Sequence, residues 1–261
     1  MKKLYVIKIG GNIIDNPLAL EQFLTDFAAI EGYKILVHGG GKVATDISKG
    51  LGIEAQMVDG RRVTDAETLK IVTMVYAGFI NKNVVAQLQA KSCNAIGLTG
   101  ADANLIKSHK RAVKTVDYGF VGDVDEVNSA ILKMLIENNL TPIIAPITHN
   151  KAGVLLNTNA DTVASTIAVA MSQVFDVELV YCFELKGVLR DFEDKNSVIN
   201  EIDTTYYAQL KADGIVSKGM IPKLDNAFDA IKAGVSAVRI CQADDLLQLL
   251  NEGEKLGTTL S

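Results

Sequence analysis

The sequence predicts an α/β protein in which helices cover a mainly parallel β-sheet. Two short segments rich in valine, isoleucine and leucine, residues 4–9 and 34–38, each stop at a run of glycines, which is typical of a buried strand that enters a tight loop. Apolar residues recur at helical spacing between them, after Pro17, and a further helix is expected at 42–50. A strand, helix, strand and helix in this order form a βαβα unit, which implies parallel strands with helices on the faces of the sheet.

The rest of the chain continues this alternation. In order, we expect helix 65–91, strand 95–100, two hairpin strands outside the main sheet near 105–106 and 118–124, helix 128–138, strand 141–147, a short return strand ending at 156, helix 162–171, strand 178–183, helix 203–212, a helix that begins near Pro222, strand 237–241 and helix 243–251. Surface loops are expected at the basic segment 107–114 and the polar segment 190–201. A lobe boundary near residue 174 gives an N-lobe, 1–173, and a C-lobe, 174–261.

Composition limits the classes of protein that this chain can be. With 261 residues the chain can bury a large core, and its net charge of −5 argues against a general nucleic-acid-binding protein. Its three cysteines are far apart and fit neither a disulfide framework nor a zinc site, so a reducing, cytoplasmic location is expected. The first apolar segment is too short for a signal peptide, and no run of about 18 apolar residues predicts a membrane span.

A lysine and two glycine runs mark a candidate ligand site. Lys8 lies inside the first strand, where it either needs an anionic partner or extends to solvent at the strand end. The glycines follow the carboxyl ends of two parallel strands, the edge where ligands bind in open sheets, and glycine lets backbone N–H groups approach a phosphate or carboxylate. Tight turns without a ligand are the alternative. The generic nucleotide motifs are absent, since Gly41-Lys42 is followed by Val43 rather than serine or threonine.

Further along the chain, two segments admit both a structural and a functional interpretation. Arg61 and Arg62 are either solvated surface charges or a grip for a carboxylate, which a planar guanidinium suits. Helix 65–91 carries one apolar stripe with Phe79 and another with Met74, so it is either buried within one subunit or shared with a second copy of the chain.

Two more segments place polar side chains at helix starts. Asn157 and Asp161 lie in a segment that either caps the following helix or offers polar groups to a ligand and to two lysines. Lys223 lies near a helix N-terminus, where a cation is disfavoured unless it faces an anion.

Six segments together resemble the amino acid kinase family, and within it the kinases that act on an N-acylglutamate. The resemblance covers essentially the whole chain. The segments are Lys8-Ile9-Gly10-Gly11, His38-Gly39-Gly40-Gly41, Gly60-Arg61-Arg62-Val63-Thr64, Gly119-Phe120-Val121-Gly122, Asn157-Thr158-Asn159-Ala160-Asp161 and Gly219-Met220-Ile221-Pro222-Lys223.

This resemblance implies a three-layer αβα sandwich with an open, mainly parallel central sheet. It implies that ATP, with Mg²⁺ held mainly by the nucleotide, phosphorylates the side-chain carboxylate of an N-acyl-L-glutamate to an acyl phosphate, in arginine biosynthesis. The N-lobe would bind the acylated amino acid and the C-lobe ATP. Such a transfer depends on in-line positioning and on neutralising the charge of the moving phosphoryl group. Whether the acyl group is acetyl or larger stays open.

The same resemblance implies residue roles. Lys8 and Lys223 would stabilise the transferred phosphoryl group, and Asp161 would hold both lysines. Backbone N–H groups would come from Gly10, Gly11, Gly40 and Gly41. Arg62, with Asn157 beside it, would bind the α-carboxylate. Residues expected to bind the nucleotide are Glu184, Leu185, Lys186, Gly187, Val188, Leu189, Val216, Ser217 and Lys218.

Two departures lie in the nucleotide half. Phe183-Glu184 replaces a Ser/Thr-Asp pair that is common in the family, and Lys218-Gly219 replaces Gly-Gly. Arginine-inhibited hexameric relatives carry an additional N-terminal helix, which we do not expect here because the first strand begins almost at residue 1. The resemblance therefore implies a homodimer formed through helix 65–91, without feedback inhibition by arginine.

Two other functions remain open at this stage. One is a different kinase of the same fold, such as a glutamate 5-kinase-like enzyme or one acting on aspartate, carbamate or UMP; Arg62 and Asn157 favour a substrate with a free α-carboxylate and so disfavour the last two. The other is a non-catalytic ligand sensor. The presence of Lys8, Asp161 and Lys223 disfavours it.

Overall fold

The computed structural model of the chain describes residues 1–58, 61–216, 220–252 and 256–261. Its first half contains, in chain order, β1 (Lys3–Ile9), α1 (Gly11–Ile14), α2 (Pro17–Ala29), β2 (Tyr33–His38), α3 (Gly41–Gly50), β3 (Met57–Val58), β4 (Arg61–Arg62), α4 (Ala66–Thr73), α5 (Asn81–Ala90), β5 (Ala95–Leu98), β6 (Ile106–Lys110) and β7 (Gly122–Val127). The second half contains α6 (Ser129–Glu137), β8 (Thr141–Ile144), β9 (Ile147–His149), β10 (Leu155–Asn157), α7 (Ala160–Met171), β11 (Asp176–Phe183), β12 (Glu201–Ile202), α8 (Thr204–Ala212), α9 (Ile221–Lys232), β13 (Ala237–Gln242) and β14 (Thr258–Leu260).

An eight-stranded sheet forms the centre of the fold. Its strand order is β12-β14-β13-β11-β1-β2-β8-β5, and β13 with β14 is the antiparallel pair among otherwise parallel neighbours. Strand β1 lies between the two halves of the chain, where Lys8 is in register with Val37 of β2 on one side and Tyr181 of β11 on the other. Strand β1 is therefore paired along both of its edges, and the central sheet continues without a break across the expected lobe boundary near residue 174.

Side chains of β1 alternate between the two faces of this sheet, and each face carries its own apolar core. Leu4 and Val6 pack with Val163 of α7, whereas Ile7 and Ile9 pack with Phe23 of α2. All of these side chains are 1% exposed or less. Because helices cover both faces, the predicted α/β sandwich with a mainly parallel central sheet is confirmed. Lys8 points to the same face as Leu4 and Val6, toward α7.

A second, four-stranded sheet has the order β10-β9-β6-β7. It contains the predicted hairpin outside the main sheet, but the prediction of a loop over 107–114 is wrong in its first part, because β6 extends through Lys110. An ion pair with the neighbouring strand stabilises one of its lysines: the Lys107 ammonium on β6 lies 3.0 Å from the Glu126 carboxylate on β7. The expected strand 141–147 is also divided between the two sheets, with the break at Pro146, which has no N–H to donate to a ladder.

The predicted helix 65–91 is helical from Ala66 to Ala90, with a π-helical turn at Met74–Ile80 in its middle. The side chain of Asp65 caps it by accepting a hydrogen bond from the Thr68 N–H at 2.8 Å. The expected stripe is divided: Phe79 is 62% exposed, whereas Ile80 is 3% exposed. The wider π turn changes the angle between successive side chains, which a 3.6-residue period does not anticipate.

Smaller differences occur at helix and chain ends. Helix α7 begins at Ala160, earlier than predicted, because the Asn159 side chain caps it by accepting from the Thr162 N–H at 3.0 Å. Strand β14 was not predicted, since three residues are too few to show a period. In the described part of the chain, every helix is too short or too polar to cross a lipid bilayer.

Candidate active site

Two adjoining cavities open at the edge of the sheet where β1, β2 and β11 end. The first, here the arginine cavity, has a volume of about 220 Å³; its walls include Gly40, Gly41, Arg61, Arg62, Arg111 and Asn157. The second, here the lysine cavity, has a volume of about 360 Å³; its walls include Lys8, Gly10, Gly11, Phe183, Glu184 and Lys223. They meet where Gly11 approaches the second glycine run. The structure thus brings the predicted glycines and both lysines to one edge.

Lys8 has an anionic partner within the protein. Its ammonium lies 2.8 Å from Asp161 Oδ1, and the whole residue is only 7% exposed. Asp161 lies in the first turn of α7, and the Tyr181 hydroxyl donates to its backbone carbonyl at 3.4 Å. Of the two interpretations of Lys8, the structure therefore supports a buried lysine with a partner rather than one that extends to solvent.

Lys223 reaches the same cavity from α9 but is held differently. Among the described residues no carboxylate lies within 4.0 Å of its ammonium, so Asp161 pairs directly with Lys8 alone. Burial lowers the pKa of Lys223; the charge of Asp161 raises it in part, and that of Lys8 lowers it further. The expectation that Asp161 contacts both lysines is met for one of them.

Phe183 lies under both lysines. Its ring centroid is 3.9 Å from the Lys223 ammonium and 5.3 Å from that of Lys8. Sequence reasoning treated Phe183 only as a departure in the nucleotide half. The signal that could have found it is strand alternation, since Phe183 is two residues beyond Tyr181, the in-register neighbour of Lys8.

Backbone N–H groups converge between the two cavities. A Cβ built on Gly11 would lie 3.9 Å from the Gly41 nitrogen and 4.0 Å from that of Gly40. Helices α1 and α3 begin at Gly11 and Gly41 without a side-chain cap, which leaves first-turn N–H groups available to an anion. Gly40 has φ of +145°, and a Cβ there would lie 2.2 Å from the Ile80 side chain, so this position requires glycine.

A buried chain of hydrogen bonds fixes the orientation of the second glycine run. The Asn81 side-chain amide donates to the Ile143 carbonyl at 2.9 Å, and the same nitrogen lies 3.1 Å from His38 Nε2. Because that nitrogen is a donor, His38 Nε2 is the acceptor, and the proton is on Nδ1. Nδ1 then donates to the Gly39 carbonyl at 2.8 Å. In a trans peptide the Gly40 N–H points opposite to this carbonyl. The hydrogen bond from His38 therefore also fixes the direction of the Gly40 N–H.

Burial lowers the pKa of His38 to about 4 from its usual 6.5. Between these values the unfolded chain binds a proton that the folded chain does not, so stability should fall as pH falls from about 6.5 to about 4. We expect the free energy of unfolding to drop by roughly 2 kcal/mol more in the wild type than in His38→Gln between about pH 7.5 and about pH 5. Urea titrations of both proteins at the two pH values measure this difference, and equal losses would contradict it.

Arg62 is a buried cation that donates hydrogen bonds through one of its two terminal nitrogens. It is 8% exposed, and its Nη2 donates to the Gly41 carbonyl at 2.8 Å and to Thr45 Oγ1 at 2.7 Å. Its Nη1 is buried without a hydrogen-bond partner among the described residues. A buried donor without a partner costs free energy, which a carboxylate in the arginine cavity would recover. Arg61, by contrast, is exposed.

Arg111 was not predicted from the sequence as a residue of the arginine cavity, whereas Asn157 was. Arg111 lines the cavity from the segment expected to be a solvated loop, and its Nη2 lies 2.5 Å from Asp123 Oδ1. This contact lowers the pKa of Asp123. Asn157 also lines the cavity, and its amide donates to Thr64 Oγ1 at 3.0 Å.

The predicted nucleotide segment lies beside the lysine cavity. A narrow apolar groove of about 60 Å³ adjoins it and is lined by Leu185, Gly187, Val188, Leu189, Phe192, Ile215, Val216 and Met220. Glu184 lines the lysine cavity itself, whereas Lys186 lies outside these walls. Ser217 and Lys218 lie outside the described residues.

Comparison with known proteins identifies the family. The model of the amino acid kinase family matches residues 3–242. This chain belongs to the amino acid kinase family. An acetylglutamate kinase of Cytophaga hutchinsonii is 66% identical over 261 residues, which cover 100% of this chain and 99% of that protein. An acetylglutamate kinase of Bacteroides thetaiotaomicron is 57% identical over 255 residues, 98% of each chain.

A solved structure shows that an amino acid kinase fold of this kind also occurs in a larger protein. The N-acetylglutamate synthase of Neisseria gonorrhoeae, solved with coenzyme A and N-acetyl-glutamate, matches with a TM-score of 0.85 at 19% identity. The match covers 100% of this chain but 59% of that one, so the likeness concerns the fold. The family resemblance predicted from the six segments is confirmed.

Proposed function

We propose that this amino acid kinase transfers the γ-phosphoryl group of ATP to the side-chain carboxylate of N-acetylglutamate, forming an acyl phosphate in arginine biosynthesis. The observation that carries this proposal is the adjacency of two sites of complementary chemistry. One cavity holds the buried guanidinium of Arg62, whose Nη1 has no hydrogen-bond partner in the part of the chain that the structure describes. The other holds the ammonium of Lys8, which is paired with Asp161, and the ammonium of Lys223. The names of the relatives with 66% and 57% identity support the same substrate.

In the arginine cavity the α-carboxylate of the substrate would bind Arg62 Nη1, with Asn157 beside it. The side-chain carboxylate would then extend toward the backbone N–H groups of Gly11, Gly40 and Gly41, which approach one another where the cavities meet. A carboxylate is already ionised at neutral pH, so its attack on phosphorus requires no general base. Catalysis therefore depends on alignment and on charge stabilisation.

In the lysine cavity the two ammonium groups would stabilise the charge on the phosphoryl oxygens during transfer. Lys8 would act from the substrate side, Lys223 from the nucleotide side, and Asp161 would hold Lys8 in place as a positioning residue. Gly10 and Gly11 would add N–H donors. Mg²⁺, held mainly by the nucleotide, would neutralise part of the charge of the phosphates.

The nucleotide would lie along the lysine cavity with its base toward the apolar groove. That groove shares Leu185, Gly187 and Met220 with the lysine cavity. One nucleotide could therefore place its phosphates in the lysine cavity and its base at the groove. The segment 184–189 would supply most contacts, and Val216 also lines the groove. Ser217 and Lys218 remain proposed nucleotide-binding residues, and a cytoplasmic location is proposed with the three free cysteines as support.

A hydroxylamine trap tests the proposed activity. The chain would be incubated with ATP, Mg²⁺ and N-acetylglutamate, and the acyl phosphate would be converted to a coloured hydroxamate. Omission of ATP is the control, and larger N-acyl groups are compared in parallel. Hydroxamate from unacylated glutamate but from no N-acylglutamate would favour a glutamate 5-kinase-like enzyme. ATP binding without any hydroxamate would favour a ligand sensor and reject the proposal.

We also propose a homodimer formed through the helical segment 66–90. Phe79 and Met74, in its π-helical turn, are 62% and 59% exposed, an arrangement that suits a partner subunit. Phe79→Glu would place a charge in this interface and is expected to yield monomers in sedimentation velocity. Leu18→Glu is the matched control, since Leu18 is 78% exposed on α2, and it should leave the dimer intact. A dimer that persists in Phe79→Glu would place the interface elsewhere.

A further inference from the structure

The lysine cavity brings two cations over one aromatic ring. The Lys223 ammonium lies 3.9 Å from the Phe183 ring centroid, and the Lys8 ammonium lies 5.3 Å from the same point. Both distances are within the range of about 6 Å over which a ring face attracts a cation. All three residues line this cavity, so the ring is part of its wall.

Lys223 has few other groups to stabilise it. No carboxylate of the described residues lies within 4.0 Å of its ammonium, because Asp161 is directed at Lys8. Lys223 is also partly buried, and the like charge of Lys8 lies nearby. Without an attractive contact, its flexible four-carbon side chain would move the charge out to water. The negative face of the Phe183 ring supplies such a contact.

The position of the ring is fixed by its strand and by a neighbouring ring. Phe183 is the last residue of β11, in register with Gln242 of β13. Its ring lies nearly parallel to that of Tyr181, with centroids 6.0 Å apart and an interplanar angle of 13°. Tyr181 is 3% exposed, and its hydroxyl donates to the Asp161 carbonyl. The two rings thus form a platform under Lys8, Asp161 and Lys223.

We propose that Phe183 is a positioning residue that holds the Lys223 ammonium in the cleft, through the face of its ring, before ATP binds. This inference rests on the proposed function, because it takes Lys223 as a group that contacts the transferred phosphoryl. It explains how this chain uses an aromatic residue where the family commonly has serine or threonine. The ring fixes the charge in advance, so less ordering is required at the moment of transfer.

Substitutions at position 183 separate the ring face from simple packing. Phe183→Leu, which keeps bulk but has no π-system, should lower kcat roughly 3- to 30-fold, the range expected for a lost cation–π contact. The KM for N-acetylglutamate, which binds in the arginine cavity, should change less than about twofold. Phe183→Tyr keeps the ring and should restore kcat to within about twofold of the wild type.

A fluorination series gives the sharper test and keeps the shape of the side chain. Phenylalanine with one, two and three ring fluorines is incorporated at position 183, which withdraws charge from the ring face in steps. We expect log kcat to fall steadily along the series. The same series at Phe23, a core residue that is 1% exposed on the opposite face of the sheet, is the control and should be flat.

Two results would overturn the inference, and they bear on different residues. A flat series at position 183, or wild-type kcat in Phe183→Leu, would overturn the role of the ring while leaving the proposed function intact. Lys223→Ala is measured alongside. If that variant keeps full turnover, the assignment of Lys223 in the proposed function is wrong, and the inference on Phe183 is overturned with it.

Discussion

Lys8→Ala is expected to lower kcat by about two to three orders of magnitude while changing the KM for N-acetylglutamate by less than about threefold. Its ammonium lies near the carboxyl end of β1 and lines the lysine cavity, where charge would develop on the transferred phosphoryl group in the proposed reaction. Removing a preorganised donor from such a site costs about 10²–10³ in kcat. A group that acts only in the transition state affects kcat far more than substrate binding.

Lys3→Ala is the matched control. Lys3 lies on the same strand and is also ion-paired, at 2.7 Å from Glu178, but it lies outside both cavities. This variant should keep wild-type kcat. Equal effects of Lys8→Ala on kcat and on substrate binding would remove the transition-state role assigned to Lys8. Steady-state kinetics with coupled ADP detection measure both constants.

Arg62→Ala should chiefly raise the KM for N-acetylglutamate, by about 10- to 100-fold, with kcat within a few-fold of the wild type. The guanidinium is buried, and its Nη1, which no described residue pairs, offers a charge-assisted hydrogen bond, which is worth about 1.5–3 kcal/mol. In the proposed binding mode this bond would form with a part of the substrate that does not react, so it would stabilise the ground state and the transition state alike.

Arg190→Ala controls for the general loss of positive charge. Arg190 does not line the arginine cavity, and its Nη2 donates to the Tyr206 hydroxyl at 2.7 Å. Its KM should equal that of the wild type. If Arg62→Ala leaves KM unchanged, Arg62 serves only to hold Gly41 and Thr45, and the α-carboxylate binds elsewhere.

Local patterns in the sequence predicted the frame of the site. The strand that carries Lys8, both glycine runs and the caps at helix starts depend on residues close together in the chain, which periodicity and turn chemistry report. The same reasoning left the fate of Lys8 open, because a partner 153 positions away, Asp161, cannot be inferred from spacing. The family resemblance named that partner.

Features that depend on packing between distant segments were not predicted. Arg111 follows directly after β6, and it lines the arginine cavity because of how β6 and β7 pair in the second sheet. The cation contacts of Phe183 depend on Lys223, which lies 40 positions further along the chain on α9, and on Lys8, which comes from the first half of the chain. The turn at Met74–Ile80 is π-helical and does not follow the 3.6-residue period. The prediction from that period therefore placed Phe79 in the wrong stripe.

The position of β1 has a consequence for how the protein melts. Hydrogen bonds run without interruption from β2 through β1 to β11, so the segment that carries Lys8 belongs equally to both halves. Neither half should unfold while the other stays folded, because β2 and β11 each form the hydrogen bonds along one edge of β1. Calorimetry should therefore record a single endotherm, and the cleft should lose its shape only when the entire molecule does.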